Sequence, residues 1–293
     1  MLGLCEFELR QYEPALNHLR RGQALGLPAH LELTEVARYH EALVLILMQR
    51  YEQAQMLLKS LVGQDQHRDE VILAAGLAAL RIPELPGALV QSADGERIGL
   101  IRQVGEAHSL AAKRKHTEAC QIYESLIRRF AAASNLHYAY GALLSDLGEL
   151  DEAEREFRAE LKVTPASVPA RIGLACLGLQ TDSMPDALPL AQEAVELTPN
   201  SFMAHYLLGR LLIKAGRIEE GARRLERSRD LNSDSSRVRY ALAQAYRRLQ
   251  RKADALREEQ AFERLRPLEE SLLQSGRLPV PLFEKDPKDG KPR

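Results

Sequence analysis

Small residues recur at a fixed interval of 34 residues through most of the chain. One column holds Ala119, Ala153, Ala187, Gly221 and Ala255, and a second column lies twelve residues earlier at Ala107, Gly141, Ala175, Gly209 and Ala243. Four residues after the first column come Tyr123, Phe157, Ala191, Leu225 and then the polar Glu259, while Pro165 and Pro199 share a further column. Several columns in phase over five units indicate a repeat array, in which each unit contacts only its neighbours.

A period of 34 residues is the length of one helix–turn–helix unit of the tetratricopeptide repeat, and on these columns the chain resembles that family. The segments HYAYGALLSDLGELDEAEREF and HYLLGRLLIKAGRIEEGARRL are similar to bacterial members. The resemblance implies an all-α, right-handed α-solenoid of about eight helix pairs that acts as a protein-interaction scaffold. Bacterial members commonly serve in envelope assembly, secretion or regulatory complexes.

Composition excludes several partners. The 40 basic and 41 acidic side chains nearly cancel, so no overall field attracts the chain to nucleic acid or to an anionic membrane. The longest apolar run, 42–48, is much shorter than the about 20 residues that span a bilayer. Cys5, Cys120 and Cys176 are odd in number and form no CxxC motif, which favours packing roles.

The first unit is expected to be incomplete. The pair Leu2-Gly3 matches the middle of a first repeat helix, followed by Tyr12 and Ala15 at the expected offsets. Either the first helix of this unit is short, or the natural N-terminus lies upstream of Met1, which is the reading we favour. The compartment stays open: cytoplasmic by default, periplasmic or secreted if an upstream signal is missing.

Three regions are predicted. Residues 1–95 form irregular N-terminal repeats, 96–266 form a regular array of five units, and 267–293 form a C-terminal cap and a disordered tail. About five extra residues, 26–30, connect the first two units, and Pro83 and Pro86 require the second helix of the third unit to be short or to start after them. The segment 81–95 is the expected irregular joint, with a loop at 91–95.

The regular array predicts helices with short turns between them. The first helices are expected at 97–112, 135–147, 168–180, 201–215 and 235–249. The second helices are expected at 116–130, 151–163, 185–197, 218–230 and 252–265. Gly148 and Gly216 fall at turns where positive φ is needed, and Pro189 is expected to delay or kink its helix.

The last unit looks like a solvent-facing end. Glu258, Glu259 and Glu263 replace its apolar column, Pro267 is expected to stop its helix, and 268–273 is expected to fold back as a cap. The tail from 275 is rich in Pro, Gly and charge, with a short polyproline segment predicted at 278–282.

No convergent catalytic set is found. The sequence has no HExxH, no phosphate-binding glycine loop and no GxSxG motif, and His108 and His116 form no motif together. Cys120 and Cys176 fit packing better than nucleophilic roles. We therefore expect no enzyme activity, no cofactor and no metal.

The family resemblance implies a concave groove lined by the first helices, with the second, fifth, ninth, twelfth and thirteenth positions of each unit facing it. The fifth position holds Tyr39, Val104, Tyr138, Ile172, Tyr206 and Tyr240. Tyrosines suit a peptide-binding wall because they offer contact area and a polar tip at low entropy cost. The alternative is that these tyrosines pack against the adjacent unit.

The groove positions become basic toward the C-terminal end. Arg210 and Lys214 follow Tyr206 at four-residue steps. The next unit continues the surface with Arg237, Tyr240, Gln244, Arg247 and Arg248. We expect this end to bind an acidic peptide or a C-terminal carboxylate; the alternative is an ordinary solvated face.

Some members of the family bind the acidic C-termini of heat-shock chaperones with a two-carboxylate clamp, which requires asparagines at groove positions. The groove positions of this chain hold no such asparagines, because Asn135 sits at a helix start. We therefore do not expect a chaperone-binding role. The alternatives are the regulatory part of a longer enzyme or signalling protein, and nucleic-acid binding through the basic stretch 237–252. Self-association through the end repeats is a further expectation.

Overall fold

The computed structural model describes residues 2–25, 31–61, 68–92, 94–181 and 184–274, and within these ranges the chain is built of α-helices and turns. The helices are α1 (Leu2–Glu8), α2 (Tyr12–Ala24), α3 (Leu31–Leu47), α4 (Tyr51–Leu61), α5 (Arg68–Ala79), α6 (Pro86–Gln91), α7 (Gly95–Ala112), α8 (His116–Phe130), α9 (Leu136–Leu147), α10 (Leu150–Val163), α11 (Val168–Gln180), α12 (Met184–Leu197), α13 (Phe202–Lys214), α14 (Ile218–Leu231), α15 (Ser236–Arg248) and α16 (Lys252–Gln274). The all-α prediction is confirmed, and the helices of the regular array end within two residues of their predicted ends, except for α16.

The helices form two compact units, one ending at Tyr140 and the other starting at Gly141, inside α9. In the first unit α1 packs on α2, α3 on α4 and α7 on α8; in the second unit α11 packs on α12, α13 on α14 and α15 on α16. Short turns make these pairs antiparallel, and successive pairs stack in each unit, which is the arrangement of an α-solenoid of helical repeats. The sequence-based boundary near residue 95 stays a prediction.

The two small-residue columns lie where paired helices touch. A Cβ atom on Gly209 would come within 2.7 Å of Leu225 Cγ, and one on Gly221 within 2.7 Å of the Gly209 carbonyl oxygen. The ring of Phe157, which is fully buried, occupies the space beside Gly141 and Gly173. Small residues therefore recur because the first and second helices of a pair approach closely at these points.

The turns between paired helices share one backbone conformation, in which one residue has positive φ. Gly148 (φ 85°) and Gly216 (φ 83°) adopt positive φ, as predicted. Five other turns among the described residues place a residue with a side chain in the same conformation, at Arg10, Gln49, Arg81, Arg114 and Gln250. At each of these turns two backbone N–H groups donate back into the last turn of the first helix, as Gly148 N does to Ser145 O at 3.1 Å and Glu149 N to Leu144 O at 3.0 Å.

The second helix of the third unit is short, as Pro83 and Pro86 predicted. Helix α6 starts at Pro86, where no N–H is needed, and has only six residues. Helix α5 packs directly on α7, and a Cβ on Gly76 would lie 1.9 Å from the carbonyl oxygen of Ile101. The two backbones are therefore in contact, and glycine is required there. Helix α6 includes Gln91 and α7 begins at Gly95, so the ends of the predicted loop at 91–95 are helical, while Ala93 lies outside the described residues.

The structure contradicts one prediction about a proline and narrows another. Helix α16 continues through Pro267 to Gln274, so Pro267 does not stop it and 268–273 is not a separate cap. Pro189 lies inside α12, which begins at Met184, so the helix is not delayed, and a kink at Pro189 stays a prediction. A proline inside a helix removes one backbone hydrogen bond and strains the preceding turn, which kinks a helix without always ending it.

Glu258 is not solvent-facing, contrary to expectation. The residue is 6% exposed, and its carboxylate accepts hydrogen bonds from Arg229 Nη1 at 3.0 Å and Arg239 Nη1 at 2.9 Å. Two arginines, one from α14 and one from α15, neutralise the charge of Glu258. One of the three glutamates in the column of the last unit therefore belongs to a buried ion cluster. Glu263 is exposed, as expected.

The predictions for the 26–30 connection, the tail from 275 and the polyproline segment at 278–282 lie outside the described residues.

Candidate functional site

In the second unit the first helices of successive pairs lie side by side, because α11 contacts α13 and α13 contacts α15. Eight of the nine predicted contact residues are on α13 and α15, while Tyr138 belongs to the first unit. Their spacing of three or four residues along each helix places them on one side of that helix. We call the groove positions of α11, α13 and α15 the first-helix surface.

Tyr206 and Arg210 form a fixed pair on α13. Tyr206 is 5% exposed, and its hydroxyl oxygen accepts a hydrogen bond from Arg210 Nη1 at 2.8 Å. The Arg210 guanidinium carbon lies 5.7 Å from the centre of the same ring. The ring is thus mainly a packing element, and the guanidinium is held on the surface by cation–π contact and a hydrogen bond.

Lys214 and Arg248 occupy equivalent positions in successive units and make equivalent contacts. Lys214 Nζ donates to Leu179 O at 2.9 Å, at the end of α11. Arg248 Nη1 donates to Ile213 O at 3.2 Å, at the end of α13. Each cation therefore caps the C-terminal end of the preceding first helix, where the helix dipole favours positive charge.

The outer edge of the surface is formed by α15 against α16. Arg247 Nε lies 2.7 Å from Glu259 Oε1, with the arginine side chain 56% exposed. The ring of Tyr240 packs at 5.4 Å against the ring of Phe262. Arg237 and Gln244 are half-buried on the same helix. The predicted residues of α15 are brought together, and a carboxylate from α16 already lies against one of them.

The tyrosines of the first unit serve packing. Tyr138 is 5% exposed, and the Arg81 guanidinium lies 5.7 Å from its ring centre and 4.8 Å from that of Tyr51. Burial, with a smaller contribution from Glu70, raises the pKa of Tyr39. Val104 at the same repeat position is fully buried. Contact of this tyrosine column with a partner stays a prediction.

The basic stretch 237–252 is extensively paired with acids of other helices. Arg239 contacts Glu258 of α16, and Arg247 contacts Glu259. Arg251 lies 3.6 Å from Glu226 of α14 and 2.7 Å from Asp254. The stretch lacks acids only along the sequence; neighbouring helices supply them in space. This pairing weakens the case for nucleic-acid binding, which depends on cations that can meet phosphates.

The described ranges contain no group of three or more His, Cys, Asp or Glu side chains that could hold a metal ion. Burial, together with nearby Lys59, lowers the pKa of His108 to about 4, and its Nε2 atom is buried without a hydrogen-bond partner. Cys176 is buried and Cys120 is partly buried, and both lie in helices of the packed array. These histidine and cysteine environments fit packing.

No helix in the described part of the chain combines the length and the apolar character needed to cross a membrane.

Comparisons with known proteins agree with the repeat architecture. Two family models, each described as tetratricopeptide repeat, match residues 179–245 and 143–202. The solved structure titled "MamA RS-1 ArsTM double mutant" is similar over 58% of this chain and 97% of that chain, with 20% identity and a TM-score of 0.51. Another, titled "Crystal structure of MamA", is similar over 56% of this chain and 96% of that chain, with 15% identity and a TM-score of 0.51. Comparison with curated proteins gives no match.

At these identities the structural likeness concerns the fold alone, whereas the family models match the sequence itself. The matched segments run together from 143 to 245, which includes α11 to α14 and the close contacts at Gly173, Gly209 and Gly221. The chain contains tetratricopeptide repeats over residues 143–245, the segment that these family models match.

Proposed function

We propose that this scaffold binds an extended acidic segment of a protein partner on the first-helix surface of the second unit. The observation that carries the proposal is the alignment of cations along two adjacent first helices. They are Arg210, Lys214, Arg237, Arg247 and Arg248. Carboxylates are the natural complement of such a row, since guanidinium groups bind them with two parallel hydrogen bonds.

Local contacts hold several of these cations in place before a partner arrives. Arg210 is held by Tyr206, while Lys214 and Arg248 are held by carbonyl groups at helix ends. A side chain that is already oriented loses less conformational entropy on binding. Arg247 already pairs with Glu259, so a partner carboxylate at this position competes with that ion pair.

The test reverses the charge of the surface. In the variant Arg210→Glu, Lys214→Glu, Arg247→Glu we expect binding of labelled hexaglutamate, measured by fluorescence anisotropy, to weaken at least tenfold, which is about 1.4 kcal/mol. Wild-type binding should also weaken with added salt, because the surface charges are exposed to solvent.

The matched control is Arg223→Glu, Arg224→Glu, Arg227→Glu on α14. These three arginines are exposed, belong to the same unit and lie on a second helix, so the net charge change is the same but the first-helix surface is intact. The control should bind hexaglutamate within about twofold of wild type. An equal loss of hexaglutamate binding in the first-helix variant and in the α14 control would mean that binding depends on overall charge and not on the first-helix surface. Circular dichroism on all three proteins checks that the helices are retained.

A further inference from the structure

We propose that the partner segment is amphipathic, with apolar residues over α11 and acidic residues over α15, separated by about six residues. This inference rests on the proposed function, because it concerns the same surface. It arises from the change from apolar to basic side chains along the first helices α11, α13 and α15.

The α11 end of the surface is uncharged. Its groove positions are Pro169, Ile172, Cys176, Leu179 and Gln180. Ile172 and Leu179 are half-buried and pack on the hydrophobic core of the unit. Each is therefore partly exposed to solvent while it packs on the core.

The surface changes from α13 to α15. On α13 the half-buried Met203 and Ile213 stand beside Arg210 and Lys214, so apolar and basic groups are mixed. On α15 the groove positions are Arg237, Tyr240, Gln244, Arg247 and Arg248, of which three are basic and none is aliphatic. The chemistry thus runs from apolar on α11, through mixed on α13, to basic on α15.

The spacing follows from helix packing. Neighbouring packed helices have axes about 9 Å apart, so the two steps from α11 to α15 cover about 18 Å. An extended chain advances about 3.3 Å per residue, so about six residues connect the two ends. A partner segment that uses both ends needs its apolar and acidic groups at that separation.

Charge and polarity together favour a polypeptide as the occupant. A nucleic acid would supply negative charge for α15 but no aliphatic group for Ile172 and Leu179. A peptide segment supplies both, and burial of its apolar side chains adds binding energy to the ion pairs.

The test uses synthetic peptides and the full chain. The first peptide carries an apolar Leu-Ile-Leu group and a group of glutamates, joined by a Ser/Gly spacer of about six residues. The second has the same composition, with the spacer residues moved to its ends. The third replaces the apolar group by serines. We expect the spaced peptide to bind about tenfold more tightly than either of the others.

A protein variant assigns the preference to α11. Ile172→Ala with Leu179→Ala should abolish the tenfold preference for the spaced peptide. The matched control is Leu197→Ala, which removes a side chain that is 45% exposed on α12 and should leave the preference intact. Because the peptide series uses unaltered protein, the inference remains testable if the double variant fails to fold.

The outcomes separate this inference from the proposed function. Equal binding of all three peptides would overturn the amphipathic pattern while the acidic-segment proposal stands. Failure of the serine-substituted acidic peptide and of hexaglutamate to bind at all would overturn the proposed function itself. Tighter binding of an oligothymidylate than of any peptide would overturn both in favour of nucleic acid.

Discussion

At the scale of single residues, the second unit surrounds a buried carboxylate with matching charges. Glu258 is held between Arg229 and Arg239, which come from the two preceding helices. Removing both arginines would leave an uncompensated charge inside, which costs about 3 to 5 kcal/mol. The desolvated histidine in α7 has no such compensation, and this makes its protonation state relevant to stability.

His108 should make the protein less stable in mild acid. Its pKa is lowered to about 4 in the folded chain, mainly by burial and also by Lys59, whereas an unfolded histidine titrates near 6.5. Because the folded pKa is the lower one, the unfolded state binds the proton first, and stability falls as pH drops from about 6.5 toward 4. We expect His108 to contribute a loss of about 1 to 2 kcal/mol between pH 7 and pH 5.

The check is urea unfolding of wild type and His108→Gln at both pH values. The variant has no titrating group at this position, so its stability should decline less than that of wild type over the same interval. An unchanged pH dependence in the variant would assign the effect to other groups. His205, whose pKa is also lowered by burial, is one such group in the second unit.

At the scale of elements, the turns between paired helices show how different residues meet one geometric demand. Arg114 has φ 60° and makes the same pair of backbone bonds as the turn at Gly148. A side chain in this conformation costs roughly 1 kcal/mol relative to glycine, because its Cβ crowds the following carbonyl. The strain is retained because stacking of the helix pairs fixes the turn.

Arg114→Gly should therefore stabilise the protein by up to roughly 0.5 kcal/mol in urea unfolding, after allowing for the greater freedom of glycine in the unfolded chain. The neighbouring Lys113→Gly is the control, because Lys113 has φ −84° and gains nothing from glycine. Conversely, Gly148→Ala should destabilise the protein by about 1 kcal/mol, because it places a side chain at a positive φ. A stabilising effect of Lys113→Gly equal to that of Arg114→Gly would show that turn strain is not the cause.

Helix positions were predictable because they depend on local periodicity, proline and glycine, and this held from α7 to α15. Predictions about the surroundings of charged side chains failed where their partners are distant in sequence. Glu258 was assigned to solvent because the arginines that bury it lie 19 and 29 residues away in sequence. The excess of positive charge in 237–252 was overestimated for the same reason, since Glu226 and Glu259 come from other helices. The positive φ of Arg114 could not be predicted from the local sequence, because no glycine occupies that position.

At the scale of the whole molecule, stability in each unit is built from contacts between neighbouring helices. In the second unit α13 contacts α11, α12, α14 and α15, so it is supported on both sides along the stack. The main packing partner of α16 is α15. In a one-dimensional array of this kind, elements with neighbours on both sides open less often than elements at an end.

Native-state hydrogen exchange should therefore be graded along the second unit. We expect the backbone amides in the middle of α13 to exchange at least tenfold more slowly than those in the C-terminal half of α16, a difference of about 1.4 kcal/mol in opening free energy. Pro267 reinforces the gradient, because it removes one hydrogen bond within α16. Ala204→Gly, at a fully buried site in α13, should speed exchange in α13 and in the helices that contact it. Uniform protection from α11 to α16 would instead mean that the unit opens as one cooperative body, and the neighbour-by-neighbour account of its stability would fail.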